Sequence, residues 1–524
     1  QYVSFVMGVA WRFPLAILLH GVEAGVIAIL CDLVIEFVQE AGFGGVPDLE
    51  EGELLEIVSA TPVWRRMLAV SVGGVIGALS WYWLRSLETP FIDVETAMAT
   101  GVKMPLGVTT VNALTQLSTV ALGGSFGREA APREMSAMWG GIIGDGLIVS
   151  KEQRRALVAC GTGAGLAAVY SVPFSGVCYT IEHVCEGEIS TVVLVAAVPV
   201  CLIASLVASK NPVPLPQPLQ QFQIVPNHGL YEMTKKYSYE WPSVQLVLAS
   251  AVLGFGAGIG AFCFRRLLVM CQRMKPKGRL PLPFDKAEVG HHAYLLFQKA
   301  GEISHRKRML ITSKTSTSIT VCLDGDKSVV QEFEKSAWEE SDPKGRTDWT
   351  ILIVMPAAFF VLAVLSAPLP LLLGNGKAMA TVFLYEEYDM SFLLLAFVLK
   401  ALVTAGALGS GAAGGTLTPS IALGASLGAM VGWVWDKLDN YHVIESISWA
   451  VPLEQAGIIA ASAFLGCMMK APLTSIVLLM EMSDQGVSLK DFLPLFHGDA
   501  SGLLKSKLAI GMWLPMGIAA GWAT

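Results

Sequence analysis

Apolar runs long enough to cross a bilayer recur along the chain at 14–36, 66–86, 192–208, 244–272, 350–373, 391–408 and 503–523. A second class of apolar segment is shorter and broken by glycine or proline, at 101–124, 135–149, 156–182, 416–436 and 456–482. Interrupted segments of this kind predict discontinuous helices whose unwound ends meet near the middle of a membrane. The pattern therefore predicts an all-α polytopic membrane protein. One stretch breaks it. Residues 274–348 open with Lys275-Pro276-Lys277-Gly278 and Pro281-Leu282-Pro283, a linker signature, and separate a first membrane half (1–273) from a second (349–524). Inside this insertion TSTSITVCL (315–323) alternates like a strand, DGDK (324–327) reads as a turn, and SVVQEFEKSAWEE (328–340) reads as a helix.

Composition agrees with the hydropathy. Hydrophobic residues make up 53% of the 524 and charged residues only 15%, against about 25% in typical soluble domains. That excludes an ordinary soluble domain, and nothing in the charge pattern suggests a nucleic-acid partner. The net charge of −7 is unevenly spread: 273–348 holds 14 of the 36 Lys and Arg against 11 acids. By the positive-inside tendency the insertion is expected on the cytosolic side. Nine cysteines are scattered with no C-x-x-C pair, so neither a disulfide framework nor a zinc site is expected, and the thiols read as small hydrophobes. His291 and His292 are adjacent and read as solvated loop residues rather than metal ligands. No charged region precedes a short cleavable apolar run near Gln1, so no signal peptide is expected.

The informative chemistry lies in GGSFGREAAP (123–132), where Arg128 and Glu129 sit between long apolar segments. An ionisable residue at membrane depth is costly and usually functional. The glycines let backbone approach a ligand, and EMSAMWGGIIGDGL beyond them resumes a helical pattern. The turn thus opens a helix N-terminus, whose free N–H groups and positive dipole end suit an anion or a carboxylate.

The chain also repeats itself. VPFSGVCYTIE (172–182) and APLTSIVLLME (471–481) share a proline, a small pair, an aliphatic and a glutamate nine residues after the proline, each behind a Gly- or Ala-rich helix. GGSFGREAAP is echoed by GSGAAGGTLTP (409–419). Two halves with a broken helix in the same place imply pseudo-symmetry, with a binding site where they meet.

In this order GREAAP, VPFSGVCYTIE, GSGAAGGTLTPSIALG and KAPLTSIVLLMEM resemble the CLC family of chloride channels and anion/proton antiporters. The resemblance implies inverted repeats of tilted, broken helices and a homodimer in a lipid bilayer with one pore per subunit. It implies transport of chloride or a similar anion, with no metal, no other cofactor and no enzymatic step. Gly127-Arg128-Glu129 matches the family's gating-glutamate motif, so Glu129 is the expected gate. Gly127, Arg128, Ala130, Gly415, Thr416 and Leu417 are the expected anion-binding positions. Amide dipoles at such a turn hold an anion without a full positive charge, so it can leave again.

Departures from the family pattern are specific. Ala130-Ala131-Pro132 carries one residue more than the family's Gly-Pro after the glutamate. The family's first anion turn, with its serine, has no counterpart in FIDVETAMATG (91–101), and no tyrosine follows Glu481. The antiporters' second proton glutamate is His183 here, directly after Glu182. Histidine titrates near neutral pH, so Glu129 and His183 together form one candidate proton pathway. The other reading makes His183 a hydrogen-bonded bystander and Glu182 a structural cap. A channel gated by Glu129 is the leading expectation. An anion/proton antiporter is one alternative, and a transport-inactive membrane scaffold with a regulatory insertion is another.

Overall fold

The computed structural model describes residues 11–44, 54–186, 190–209, 244–297, 302, 305–323, 326–341, 343–385, 388–440 and 453–482. The apolar run 503–523 lies outside them, as does the rest of the tyrosine-free stretch after Met482. The first half contains α1 (Arg12–Phe43), α2 (Leu54–Ala60), α3 (Val63–Ser86), α4 (Val94–Thr100), α5 (Leu106–Ala121), α6 (Ala130–Gly146), α7 (Lys151–Tyr170), α8 (Pro173–Tyr179), α9 (Thr191–Ala208) and α10 (Val244–Arg273). A wide turn over Thr180–Val184 prolongs α8. After the insertion come α12 (Ile351–Ser366), α13 (Lys377–Tyr385), α14 (Met390–Gly409), α15 (Leu417–Asn440), α16 (Leu453–Met469) and α17 (Pro472–Met482).

Six of these helices, α1, α3, α9, α10, α14 and α15, are long and apolar enough to span a membrane. Their outward positions carry large apolar side chains, among them Leu30, Phe37, Leu79, Phe255 and Phe262, which suits a surface covered by lipid. The apolar run 350–373 gives a shorter helix than its length suggests. It stops at Ser366, because Pro368 and Pro370 cannot continue a helix and bias the residues before them to extended backbone. Cys160 and Cys201 are buried as expected of small hydrophobes, whereas Cys263 on α10 is exposed on the single chain.

The sequence repeat is a structural repeat. In the first half α7 breaks into α8 at Ser171, and in the second α16 breaks into α17 at Lys470, both in the left-handed region (φ +56° and +54°). Each break is closed in the same way. The Val172 N–H donates to the Ala167 carbonyl at 3.0 Å and the Ala471 N–H to the Gly466 carbonyl at 3.2 Å; Pro173 and Pro472 then start the next helices, where a missing N–H costs nothing.

The halves are tied together by an exchange of carboxylates. Glu481, at the far end of α17, accepts from the Phe174 N–H at 3.0 Å and the Ser175 N–H at 2.7 Å, with the Ser175 hydroxyl also donating to it. Glu182, in the turn after α8, accepts from the Leu473 N–H at 3.1 Å, the Thr474 N–H at 2.7 Å and the Thr474 hydroxyl at 2.8 Å. Each helix N-terminus thus has its orphan donors satisfied, and its dipole neutralised, by a glutamate from the other half.

The insertion is a six-stranded sheet of β1 (Arg279–Pro281), β2 (His292–Phe297), β3 (His305–Lys314), β4 (Ser318–Leu323), β5 (Asp326–Glu334) and β6 (Lys344–Thr347), in the order β1-β6-β2-β3-β4-β5, with α11 (Lys335–Glu340) packed on it. All its pairings are antiparallel. Alternate residues, Ala293 and Leu295, Met309 and Ile311, Ile319 and Val321, point into a core closed by Phe284 and Trp338. The helix expected over 328–340 is confined to 335–340. Residues up to Glu334 are a strand, because Ile319 pairs with Phe333 and Val321 with Gln331, and Phe333 lies edge-on to Trp338 at 5.9 Å. Of the expected turn 324–327, Asp324 and Gly325 lie outside the described residues and Asp326 already belongs to β5. His291 precedes β2, half-exposed and 3.6 Å from Glu288, and His292 begins that strand.

Both crossings between insertion and membrane helices meet at Asp348, which accepts from the Lys277 N–H at 3.0 Å, the Thr350 N–H at 3.0 Å and the Thr350 hydroxyl at 2.7 Å. Burial works against ionisation there, but those donors and the nearby Arg85 outweigh it and hold the carboxyl below the usual range. The sheet is also pinned sideways. The Arg306 N–H donates to the Glu88 carbonyl at 2.7 Å, and the Lys103 N–H to the Glu302 carbonyl at 2.9 Å.

The carboxylate exchange yields a stability prediction. Glu481→Ala strips two backbone N–H groups of their acceptor and should cost about 1–2 kcal/mol, as for a lost N-cap, with Glu182→Ala similar. Thermal unfolding of the detergent-solubilised protein checks it; variants as stable as the parent would remove the exchange as a tie between the halves.

Candidate functional site

Two glycine turns, one from each half, meet edge to edge. Gly127 and Gly415 form an isolated antiparallel bridge, the Gly127 N–H donating to the Gly415 carbonyl at 2.7 Å and the Gly415 N–H to the Gly127 carbonyl at 3.1 Å. A side chain is impossible at either position as packed. A Cβ on Gly127 would lie 2.1 Å from the Glu129 carboxylate, and one on Gly415 2.0 Å from it. Phe126 fills the space beside Gly414. Behind the turn the Ser125 and Thr404 hydroxyls pair at 3.0 Å, both fully buried.

Glu129 occupies the cap position of α6 with helical backbone (φ −69°, ψ −17°). Its side chain does not cap its own helix; it turns across to α15. Oε1 accepts from the Leu417 N–H at 3.2 Å, and Oε2 lies 3.2 Å from the Thr418 hydroxyl and 3.3 Å from the Tyr170 hydroxyl. The group is fully buried. The carboxylate is therefore held by the N-terminus of the second half's helix, the kind of end that suits a negative charge. No cation donates to it among the described residues' hydrogen bonds and ion pairs.

The positive charges nearby donate to groups other than the carboxylate, although the Arg128 Nε is buried without a hydrogen-bond partner. Arg128 points to Asp32 of α1, 3.1 Å away. Arg133 donates from Nε to the Glu129 backbone carbonyl at 3.0 Å and from Nη1 to the Tyr179 hydroxyl. Lys400, fully buried on α14, donates to the Leu372 and Gly374 carbonyls at 3.0 and 2.9 Å, and the Gly374 N–H donates to the Gly123 carbonyl at 3.1 Å. A buried ammonium thus braces the loop that supports the first turn.

The residues expected at the site are therefore not equivalent. Gly127, Gly415, Leu417 and Glu129 touch one another. Ala130 opens α6, and the Thr416 carbonyl is taken by the Ser420 N–H and hydroxyl at 3.0 and 2.7 Å. His183 does not hydrogen-bond to Glu129. Its Nδ1 is 3.0 Å from the Met469 carbonyl and its ring 4.9 Å from that of Tyr179, which accepts from Arg133, the donor to the Glu129 backbone carbonyl. In place of the missing serine turn, α4 starts at Asp93, which caps the Thr96 N–H at 2.7 Å.

Sequence reasoning missed Tyr170 and, although Thr418 falls in the matched second anion turn, gave its hydroxyl no role; the two hydroxyls lie 2.8 Å apart beside the carboxylate. A signal existed: Tyr170 puts an aromatic hydroxyl at the end of the glycine-rich α7, just before the break. It also missed Glu134, a second carboxylate in α6, held by the side-chain amides of Asn112 at 2.9 Å and Gln116 at 3.1 Å, with Trp81 fixing Asn112 at 2.9 Å. No group of three His, Cys, Asp or Glu with metal-binding geometry occurs among the described residues.

Comparison with known proteins places this geometry in context. The family model described as voltage gated chloride channel matches residues 73–296 and 333–496, leaving a gap inside the inserted sheet. A ClcB-like chloride channel protein of Ralstonia nicotianae is 24% identical over 438 residues, 82% of this chain and 80% of that protein. The H(+)/Cl(−) exchange transporter ClcA of Vibrio parahaemolyticus is 23% identical over 454 residues, 86% and 69% of the two chains. Among solved structures, a slow cyanobacterial Cl−/H+ antiporter aligns over 97% of this chain and 94% of its own, with a TM-score of 0.61 at 17% identity. The fold is shared with it.

The packed turns give a structural prediction. Gly415→Ala must expel the Glu129 carboxylate, since no Cβ fits 2.0 Å from Oε1. Amide exchange at Leu417 should then accelerate by at least tenfold, the loss of roughly 1.4 kcal/mol expected for a charge-assisted hydrogen bond. Unchanged Leu417 protection would mean that the carboxylate is not held there.

Proposed function

The chain belongs to the voltage-gated chloride channel family, and from that premise we propose that it is a channel-type conductor of chloride or a similar anion, gated by Glu129. It is an integral, multi-pass membrane protein, and its activity is CLC-type anion transport. The single observation that carries the gate is the carboxylate lodged at the N-terminus of α15. A fixed negative group and a mobile anion compete for the same donors, so the pathway is closed while Glu129 is ionised and seated. Protonation removes the charge, and a raised anion concentration displaces it; either frees the turn.

Neutral donors suit passage. Amide and hydroxyl dipoles compensate for lost hydration without the deep well that a lysine ammonium would create, so binding stays weak enough for release. Arg128 is compatible with this reading, because its Nη1 is drawn to Asp32 and it donates no hydrogen bond to the Glu129 carboxylate. By the same positive-inside reasoning as before, the basic insertion faces the cytosol or its equivalent, and two copies assemble with one pathway each.

The channel reading rests on His183 standing where antiporters of the family carry a glutamate. An antiporter passing protons by way of His183 or another group is the competing reading. In liposomes under a chloride gradient, a channel gives a reversal potential that follows the anion alone, whatever the pH gradient. A shift with the pH gradient would replace the channel by the antiporter, and absence of anion flux would leave only a scaffold role. Glu129→Ala should conduct with flux that no longer varies with pH; flux as pH-dependent as in the parent would remove Glu129 as the gate.

A further inference from the structure

Three oxygens meet beside the α15 N-terminus: Glu129 Oε2, the Thr418 hydroxyl and the Tyr170 hydroxyl, with separations of 3.2, 3.3 and 2.8 Å. Tyr170 is 4% exposed and Thr418 1%. They come from different halves, Tyr170 from the end of α7 and Thr418 from the first turn of α15. We infer that these two hydroxyls, together with the Leu417 N–H, are the donor set of this protein's anion site, exposed when Glu129 swings out. The inference rests on the gate reading above and goes further, since it names what holds the anion in a chain without the family's serine turn.

Proton counting supports it. Each hydroxyl has one proton, so two protons serve three oxygen–oxygen contacts while Glu129 is ionised. One hydroxyl donates to the other or to the carboxylate, and both can rotate. When the carboxylate leaves, a halide, which only accepts, can take both protons and the Leu417 N–H at once. The two hydroxyl oxygens are already close enough to converge on one small acceptor. A buried hydroxyl left without a partner is unfavourable, so the pair favours an occupant: carboxylate when closed, anion when open. A protonated Glu129 also fits, because its added proton closes a ring in which each oxygen donates once and accepts once. The hydroxyl pair thus tolerates all three states of the gate.

The experiment measures chloride binding by isothermal titration, and chloride flux in liposomes, with Glu129→Ala as the common background so that the carboxylate does not compete. In that background Tyr170→Phe keeps the ring and removes only the donor; it should weaken chloride binding on the order of tenfold, as expected for a hydrogen bond to a charged partner. Thr418→Val should do the same, and Thr418→Ser should restore binding. Chloride affinity within about twofold of the background in folded Tyr170→Phe and Thr418→Val proteins, a difference below about half a kcal/mol, would overturn the inference while leaving the gate intact. Should Tyr170→Phe fail to give a monodisperse protein, the Thr418 Val and Ser pair decides alone. A Glu129→Ala protein that neither binds nor passes chloride would overturn the transport reading itself, and the inference with it.

Discussion

A carboxylate buried in a membrane protein, with no cation bonded to it among the described residues, is the constraint around which the rest is arranged. Leaving it unsolvated would cost several kcal/mol, so every element nearby supplies a neutral donor or stays out of the way. Gly127 and Gly415 pair backbone to backbone and leave room for Glu129 between the turns. Leu417 provides an amide at a helix N-terminus, and Tyr170 and Thr418 provide hydroxyls. The result is a set of neutral donors converging on one negative group, and the proposed gate rests on the idea that a mobile anion could take the same donors.

Such a site needs its two halves held in register, because each contributes one turn. The exchange of Glu182 and Glu481 does this at the level of helix ends, each half neutralising the other's dipole. The matching breaks at Ser171 and Lys470 start those proline-led helices at equivalent points of the two halves. Non-glycine residues in the left-handed region cost about 1–2 kcal/mol each, and here both are tolerated where a helix must stop for a proline-led one to begin. Pseudo-symmetry is therefore a mechanical requirement of the site as much as a record of how the chain is built.

Much of this was legible in the residues, and what was not has physical reasons. Broken helices, the two glycine turns and Glu129 stood out because charge and glycine are conspicuous against apolar sequence. The echo of the two motifs implied a site where the halves meet, but not the backbone bridge between Gly127 and Gly415. Tyr170 was overlooked because a tyrosine ending an apolar helix looks like packing; only its distance to Glu129, set by how α7 meets α15, gives it a role. The insertion misled for a different reason. VVQEF has polar and apolar residues compatible with either period, and the partner strand β4, not local preference, decides for a strand. Glu134 lay hidden beside a more obvious glutamate, its amide partners being on another helix.

The disposition of the cations carries the argument one step further. Arg128 faces Asp32, Arg133 holds the Glu129 carbonyl and the Tyr179 hydroxyl, and Lys400 braces carbonyls below the first turn. The two arginines interact with the Glu129 charge through space in a medium of low dielectric, where a charge acts over several ångströms, yet none of the three cations donates a hydrogen bond to the carboxylate. An anion entering the turn therefore gains attraction from the field without a salt bridge it must later break. His183 fits the same logic: with Nδ1 beside the Met469 carbonyl and Tyr179 and Arg133 between it and Glu129, a charge on it would add to this field before it could exchange a proton with the gate. The arrangement separates attraction, supplied by cations committed elsewhere, from ligation, supplied by neutral dipoles, and a pathway that must both select and release an anion requires that separation.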